Sequence, residues 1–181
     1  DISHWLLGGD PEGLLSLAIF YDAAVVAGDE ALLLNAKAHL FELVKQGESL
    51  GHFAKAVQQF PSPLGFLNRF VTESAPPRAG RIDLKKGGIF PIVHGIRSLA
   101  LERQVAETNS IARIHTLTGD GAFTESFAAD LIEAFDFMLM LRLRTQLDDM
   151  AAGRPLDNTI DPKTLNRLDR NLLRDSFKVV K

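Results

Sequence analysis

The sequence predicts an all-α fold, a helical bundle of about seven helices with a small β-hairpin near residues 68-86. Three observations carry the prediction. Apolar residues recur at helical spacing along nearly the whole chain. Capping and breaking residues punctuate these runs at ordinary helix lengths. Only Arg81-Ile82-Asp83-Leu84-Lys85 alternates as a strand does. With 181 residues, the chain is read as a single helical domain, residues 1-181, able to bury roughly 70% of the surface its unfolded form exposes.

Asp1-Ile2-Ser3-His4-Trp5 looks like the tail of a helix that began upstream, and the chain opens with no Met. It is therefore expected to be a C-terminal fragment of a longer multidomain protein. Asp10-Pro11-Glu12 is a helix start, with an N-cap carboxylate, Pro at the first helical position and acid in the first turn. Gly28 is the expected stop, giving a helix over about 10 to 27. Asp29-Glu30 opens a second helix through Leu33, Ala36, Leu40, Leu43 and Val44, ending at Gln46-Gly47. Ser49 caps a short third through Phe53, Val57 and Phe60, closed by Pro61 and Pro63.

The segment Ala75-Pro76-Pro77-Arg78-Ala79-Gly80 is turn material, which makes the hairpin. After Gly87-Gly88, helical spacing returns over Ile89 to Val105, with Pro91 in the first turn. Thr108 or Asn109 caps a fifth helix that Gly119 ends. Thr124 with Glu125 begins the longest, to Ala152-Gly153, and a last helix starts at Asp161-Pro162. From Lys163 onward that last segment holds six basic residues against two acidic ones, a local charge of +4.

Composition excludes several classes of function. Twenty basic side chains against 23 acidic ones give a net charge of −3, the wrong balance for a general nucleic-acid binder. No cysteine is present, so thiol chemistry and disulfide scaffolds are out. No apolar run approaches the ~18 residues a bilayer requires, and a cytoplasmic location without membrane contact is expected. The five histidines, His4, His39, His52, His94 and His115, show no metal-ligand spacing, and no nucleophile elbow or phosphate-loop motif occurs. No metal site and no catalytic residue are expected in the chain. Asp148-Asp149 points its carboxylates about 100° apart on a helix and reads as a solvated face.

Three features stand out. In Asp83-Leu84-Lys85-Lys86-Gly87-Gly88, two ammonium groups, a glycine pair and a helix N-terminus make a place for a phosphate or carboxylate, with Arg97 further along the same helix. The plainer alternative is a glycine turn with two solvated lysines. Arg142 and Arg144 stand in a stretch, Phe135 to Arg144, that is apolar nearly all round and so predicted to be buried. Buried guanidinium groups need anions, and Asp22 on the first long helix is the expected partner, with a ligand as the alternative. Asp157-Asn158-Thr159-Ile160-Asp161-Pro162 reads as a turn with an Asx cap.

The run Ile82-Asp83-Leu84-Lys85-Lys86-Gly87-Gly88-Ile89-Phe90-Pro91-Ile92-Val93, then Thr108-Asn109, Asp130 to Phe135, Leu141-Arg142-Leu143-Arg144 and Asp157-Asn158-x-Ile160, resembles the nucleotidyltransferase substrate-binding domain family, in the right order from about Trp5 to Val179. The resemblance implies a helical bundle at the C-terminus of bacterial signalling proteins. Upstream it implies a cyclic-nucleotide-binding or paired CBS module and a nucleotidyltransferase domain like the uridylyltransferase of the PII protein, whose G-S and D-x-D motif would hold Mg2+ and a nucleoside triphosphate. No cofactor is implied for this chain itself. Lys85, Lys86, Arg97, Asn109, Arg142, Arg144 and Asn158 fall on family motif positions. The family's Asp-x-Arg near the end of the first long helix is Asp22-Ala23-Ala24 here, which keeps the acid and loses the arginine.

The expected function is substrate binding: docking the acceptor of nucleotidyl transfer, a protein or a small molecule, against the upstream domain, with no catalysis by this chain alone. Lys85, Lys86, Arg97, Arg142 and Arg144 are the expected anion contacts, and Asp22, Asp83, Asn109 and Asn158 the structural polar groups. The alternative is an interaction or dimerisation module, a homodimer included, that relays signals from upstream sensory domains. An independent helical enzyme fits poorly with the missing motifs.

Overall fold

The computed structural model describes residues 2–7, 10–45 and 50–181. Among them are eight α-helices and one two-stranded antiparallel pair: α1 (Ile2–Leu7), α2 (Pro11–Tyr21), α3 (Glu30–Lys45), α4 (Leu50–Lys55), β1 (Ile82–Asp83), α5 (Phe90–Glu102), α6 (Ser110–Gly119), α7 (Glu125–Ala151), β2 (Thr159–Ile160) and α8 (Arg167–Val180). The fold class is the predicted all-α one. The expected stop at Gln46-Gly47 and the cap at Ser49 lie outside the described residues.

The chain divides into two units, Asp1–Gln59 with His94–Phe123, and Phe60–Val93 with Thr124–Lys181. In the first, α1 packs on α2 and α3. Its buried apolar side chains include Leu17, Tyr21, Leu40, Phe53, Leu101 and Ile114. Asp10 caps α2 as its sequence predicts, Oδ1 accepting the Gly13 N–H at 2.8 Å, and Asn109 caps α6 by accepting from Ile111 and Ala112. The first long helix, however, ends at Tyr21 and not near residue 27. Ala23 to Val26 continue the apolar period, but the Asp22 carboxylate is held by two arginines and the Lys37 ammonium takes the Ala23 carbonyl at 2.7 Å. These contacts satisfy the end of α2 and fix it one turn and a half early.

In the second unit, α8 lies along α7, and both touch the wide turn that leads into α5. Thr124 caps α7 through the Phe127 N–H. The strand expected at Arg81 to Lys85 is present as β1, and its partner is β2 near the far end of the chain, with Ile82 opposite Ile160 and Asp83 opposite Thr159. The segment from Leu64 to Arg81 folds back locally, with a bridge from Leu64 to Phe70 and the Glu73 N–H on the Arg81 carbonyl. The last helix begins at Arg167 and not at Asp161-Pro162. Asp161 spends its carboxylate on the Lys163 N–H in a turn, and Asn166 supplies the cap by accepting from Asp169.

Candidate functional site

The Lys85-Lys86-Gly87-Gly88 segment is a helical turn wider than an α-turn: the Phe90 N–H reaches the Lys85 carbonyl five residues back. Chain geometry has already filled part of the place expected for a phosphate. Asp83, 9% exposed, accepts the Lys86 N–H through Oδ1 at 2.9 Å, so the protein's own carboxylate sits at the start of the turn. Asn158 contributes its backbone, its carbonyl accepting the Leu84 N–H. The glycines serve packing: a Cβ on Gly87 would come within 2.7 Å of Pro63, and one on Gly88 would overlap Met138 Sδ and lie 3.0 Å from Phe177. Here the plainer expectation accounts for the glycines, while both lysines remain exposed.

Lys86 nevertheless borders a groove of about 290 Å³ within the second unit. Phe60, Pro61, Pro63 and Val71 form its apolar walls, and Glu73, Arg81, Asp83 and Lys86 supply two acids and two bases. Phe60 is braced edge-on by Phe90, with ring centroids 5.0 Å apart. Arg81 is partly spent: Nε donates to the Thr159 hydroxyl and Nη2 to the Thr159 carbonyl. Thr159 is in turn held by Asp157, in the Asx turn that the sequence predicts. Burial acts to raise the Asp157 pKa, but the Thr159 N–H and hydroxyl and the Arg81 and Arg78 charges outweigh it and hold the carboxyl below its ordinary value. The result is a rigid rim that fixes Arg81. Lys85, Arg142 and Arg144 do not line this groove.

The remaining candidates are placed differently from expectation. Arg97 and Asp22 meet in the first unit: Arg97 Nε donates to Asp22 Oδ2 at 2.9 Å, and its Nη2 binds the same oxygen. Arg113 closes the cluster with Nη2 2.7 Å from Asp22 Oδ1, an ion pair at an angle too poor for a hydrogen bond. Arg113 is 1% exposed and also stacks over the Tyr21 ring at 4.3 Å while donating to the Glu107 carbonyl. Burial pushes the Tyr21 phenol up to about 12, with Asp22 adding to the rise and Arg113 opposing it, so the hydroxyl stays protonated and donates to the Val105 carbonyl. Asp22 thus pairs with Arg97 and Arg113, and not with Arg142 or Arg144. Arg97 is committed to an internal acid. Asn109 acts here indirectly, as the cap of the helix that carries Arg113.

On α7 the expected burial is only half met. Arg142 is half-buried, with Nε buried and without a hydrogen-bond partner among the described residues. Arg144 is 47% exposed and pairs with Asp169 of α8 at 2.6 Å. Asp149, expected on a solvated face, is buried and takes Arg154 at 2.8 Å. Sequence reasoning missed Arg113 altogether. The available signal was its place one turn before Leu117 on the core face of a short helix.

Among the described residues no group of three or more His, Cys, Asp or Glu side chains could hold a metal ion, and no helix is long and apolar enough to cross a membrane. Residues 47–181 match the family described as "Putative nucleotidyltransferase substrate binding domain". No curated protein and no solved structure matches the chain significantly. The match takes in the whole second unit, and Arg97, Asn109 and Arg113 from the first; Asp22 lies before it.

Proposed function

We propose, from the premise that the chain belongs to this family of nucleotidyltransferase substrate-binding domains, that the groove of the second unit docks the acceptor of a nucleotidyl transfer. The observation that carries the reading is the position of Lys86: an exposed ammonium beside a buried carboxylate, on a groove with apolar walls. Lys86 attracts an anionic group of the acceptor, with Lys85 adding to the local positive field, and Asp83 has a second oxygen to accept a hydrogen bond from a hydroxyl or amine. Such a domain contributes proximity and orientation, which can be worth several kcal/mol of barrier, roughly 7–11 at the upper limit.

The transferase chemistry then belongs to an upstream nucleotidyltransferase domain of a longer protein, which would hold Mg2+ and the nucleoside triphosphate. The family resemblance, with the uridylyltransferase-like domain it implies upstream, supports a role in bacterial signal transduction under the control of CBS or cyclic-nucleotide-binding modules. Arg142 and Arg144 are secondary candidates for acceptor contact. The test is Lys86→Ala in the full-length protein: acceptor KM should rise at least tenfold while KM for the nucleoside triphosphate stays unchanged. Unchanged transfer by Lys86→Ala and by Lys85→Ala with Lys86→Ala together would sink the reading.

A further inference from the structure

A second surface of the same unit is unused by that reading. Met140, Leu143, Leu147 and Met150 follow one another on α7 at spacings of three, four and three, and are 50%, 58%, 50% and 62% exposed. The opposite face of the helix carries Ala134, Met138 and Leu141, all buried, so α7 is apolar on two sides and only one of them is covered. A surface helix of an ordinary domain carries polar residues there. Spacings of three and four are those of a coiled-coil seam, which a straight partner helix can cover.

We propose that this face pairs with the same face of a second copy of the chain, in antiparallel orientation, about a two-fold axis level with Thr145 along α7. The stripe is its own reverse: Met140 and Leu143 stand as far before Thr145 as Met150 and Leu147 stand after it. Turned end for end, it sets Leu143 of each copy against Leu147 of the other and Met140 against Met150, the self-complementarity that an isologous interface requires. Charge agrees with this direction: Asp136, exposed one turn before Met140, would stack on its own copy in a parallel pair, whereas an antiparallel pair sets its two copies at opposite ends. Arg144 ties Asp169 of α8 to α7 within the same unit. A seam of three turns is smaller than the roughly 800 Å² per partner of a standard interface, so the dimer is reversible and dissociates on dilution. The proposal does not depend on the docking groove, which shares no residue with the stripe.

Sedimentation of the chain over a range of concentrations should show a mass that rises toward twice that of one copy. Leu143→Glu with Leu147→Glu should stay at one copy throughout, with unchanged circular dichroism because both positions are exposed. Orientation is read by cross-linking, since the chain has no cysteine of its own. In an antiparallel pair the two copies of residue 140 are about 15 Å apart along the axis, beyond disulfide reach. Met140→Cys mixed with Met150→Cys should therefore oxidise to a covalent dimer at least tenfold faster than either variant alone. A chain that remains single at every concentration overturns the proposal, as does association that survives the paired Glu substitutions, or a Met140→Cys protein that links to itself as fast as it does in the mixture.

Discussion

The two units use the same kinds of charge in opposite ways. In the first, Arg97 and Arg113 converge on Asp22 under cover of Tyr21, with side chains 15% and 1% exposed for the arginines and 28% for the acid. In the second, Lys86 and Asp83 share the border of a groove, and their one recorded hydrogen bond runs from a backbone N–H to the carboxylate. A cation whose partner is built into the chain stabilises the fold and has little left for a ligand. One whose side chain is left over can bind. The lesson for reading such sequences is that arginines and lysines divide by burial, not by residue type.

The largest expected effect tests the closed cluster. Asp22→Ala leaves two guanidinium groups facing each other with one of them fully buried, and breaking such a pair costs about 3 kcal/mol, the low end of the usual range because Asp22 keeps some solvent contact. The midpoint of urea unfolding should fall accordingly. Lys86→Ala, its counterpart in the second unit, should leave that midpoint within about 0.5 kcal/mol of the parent. A large loss for Lys86→Ala would erase the distinction drawn between the two units.

Next in size is Gly88→Ala, which asks whether the glycine pair is packing or ligand binding. Its added methyl meets Met138 and Phe177, both 0% exposed and with nowhere to move. A loss of about 2 kcal/mol is expected from overpacking, and a fully stable variant would return the glycines to a functional role. This part of the molecule also shows what sequence can and cannot carry. The caps at Asp10, Asn109 and Thr124 were legible because a short polar side chain before an apolar run has one dominant use. Tyr21 as a helix end was not, since Ala23 to Val26 keep the apolar period and only the distant arginines and Lys37 explain the stop. Lys86 was legible as a cation near a helix start; the carboxylate already seated there depends on where Asp83 points, which no spacing reveals. Arg113 was passed over because charged residues on an apolar face are ordinarily counted as solvated, and its burial depends on an acid far away in the chain.

A pH titration sharpens the account of the first unit. Burial holds the His94 pKa below its ordinary value, aided by the nearby Arg97 charge and opposed by Asp22 and by the Phe53 carbonyl, which accepts from Nε2. Folded His94 therefore stays neutral where the unfolded chain binds a proton. Stability is fully present above the unfolded value, near 6.5, and declines as pH falls below it. Melting between pH 7.5 and 5.5 should show that decline, and His94→Gln should flatten it. Smaller still is Asn109→Ala. It removes a cap that accepts two N–H groups of α6, and about 1 kcal/mol should be lost. Because α6 carries Arg113, this variant in the Asp22→Ala background should cost less than the sum of the two, a coupling that a double-mutant cycle would read.

The smallest effect completes the contrast. Arg144 and Asp169 form an ion pair of 2.6 Å, shorter than the 2.7 Å between Asp22 and Arg113, and by distance alone it would be ranked beside that pair. Exposure decides otherwise: the Arg144 side chain is 47% open to solvent, where water already satisfies both charges and salt screens them. Arg144→Ala should therefore change stability by no more than about 0.5 kcal/mol, and what change there is should vanish in 1 M salt. Asp22→Ala should keep most of its effect in the same salt, because screening ions do not reach Arg113. If Arg144→Ala proves as costly as Asp22→Ala, the second unit has a closed ion cluster of its own, and its arginine joins Arg97 among the cations unavailable to an acceptor.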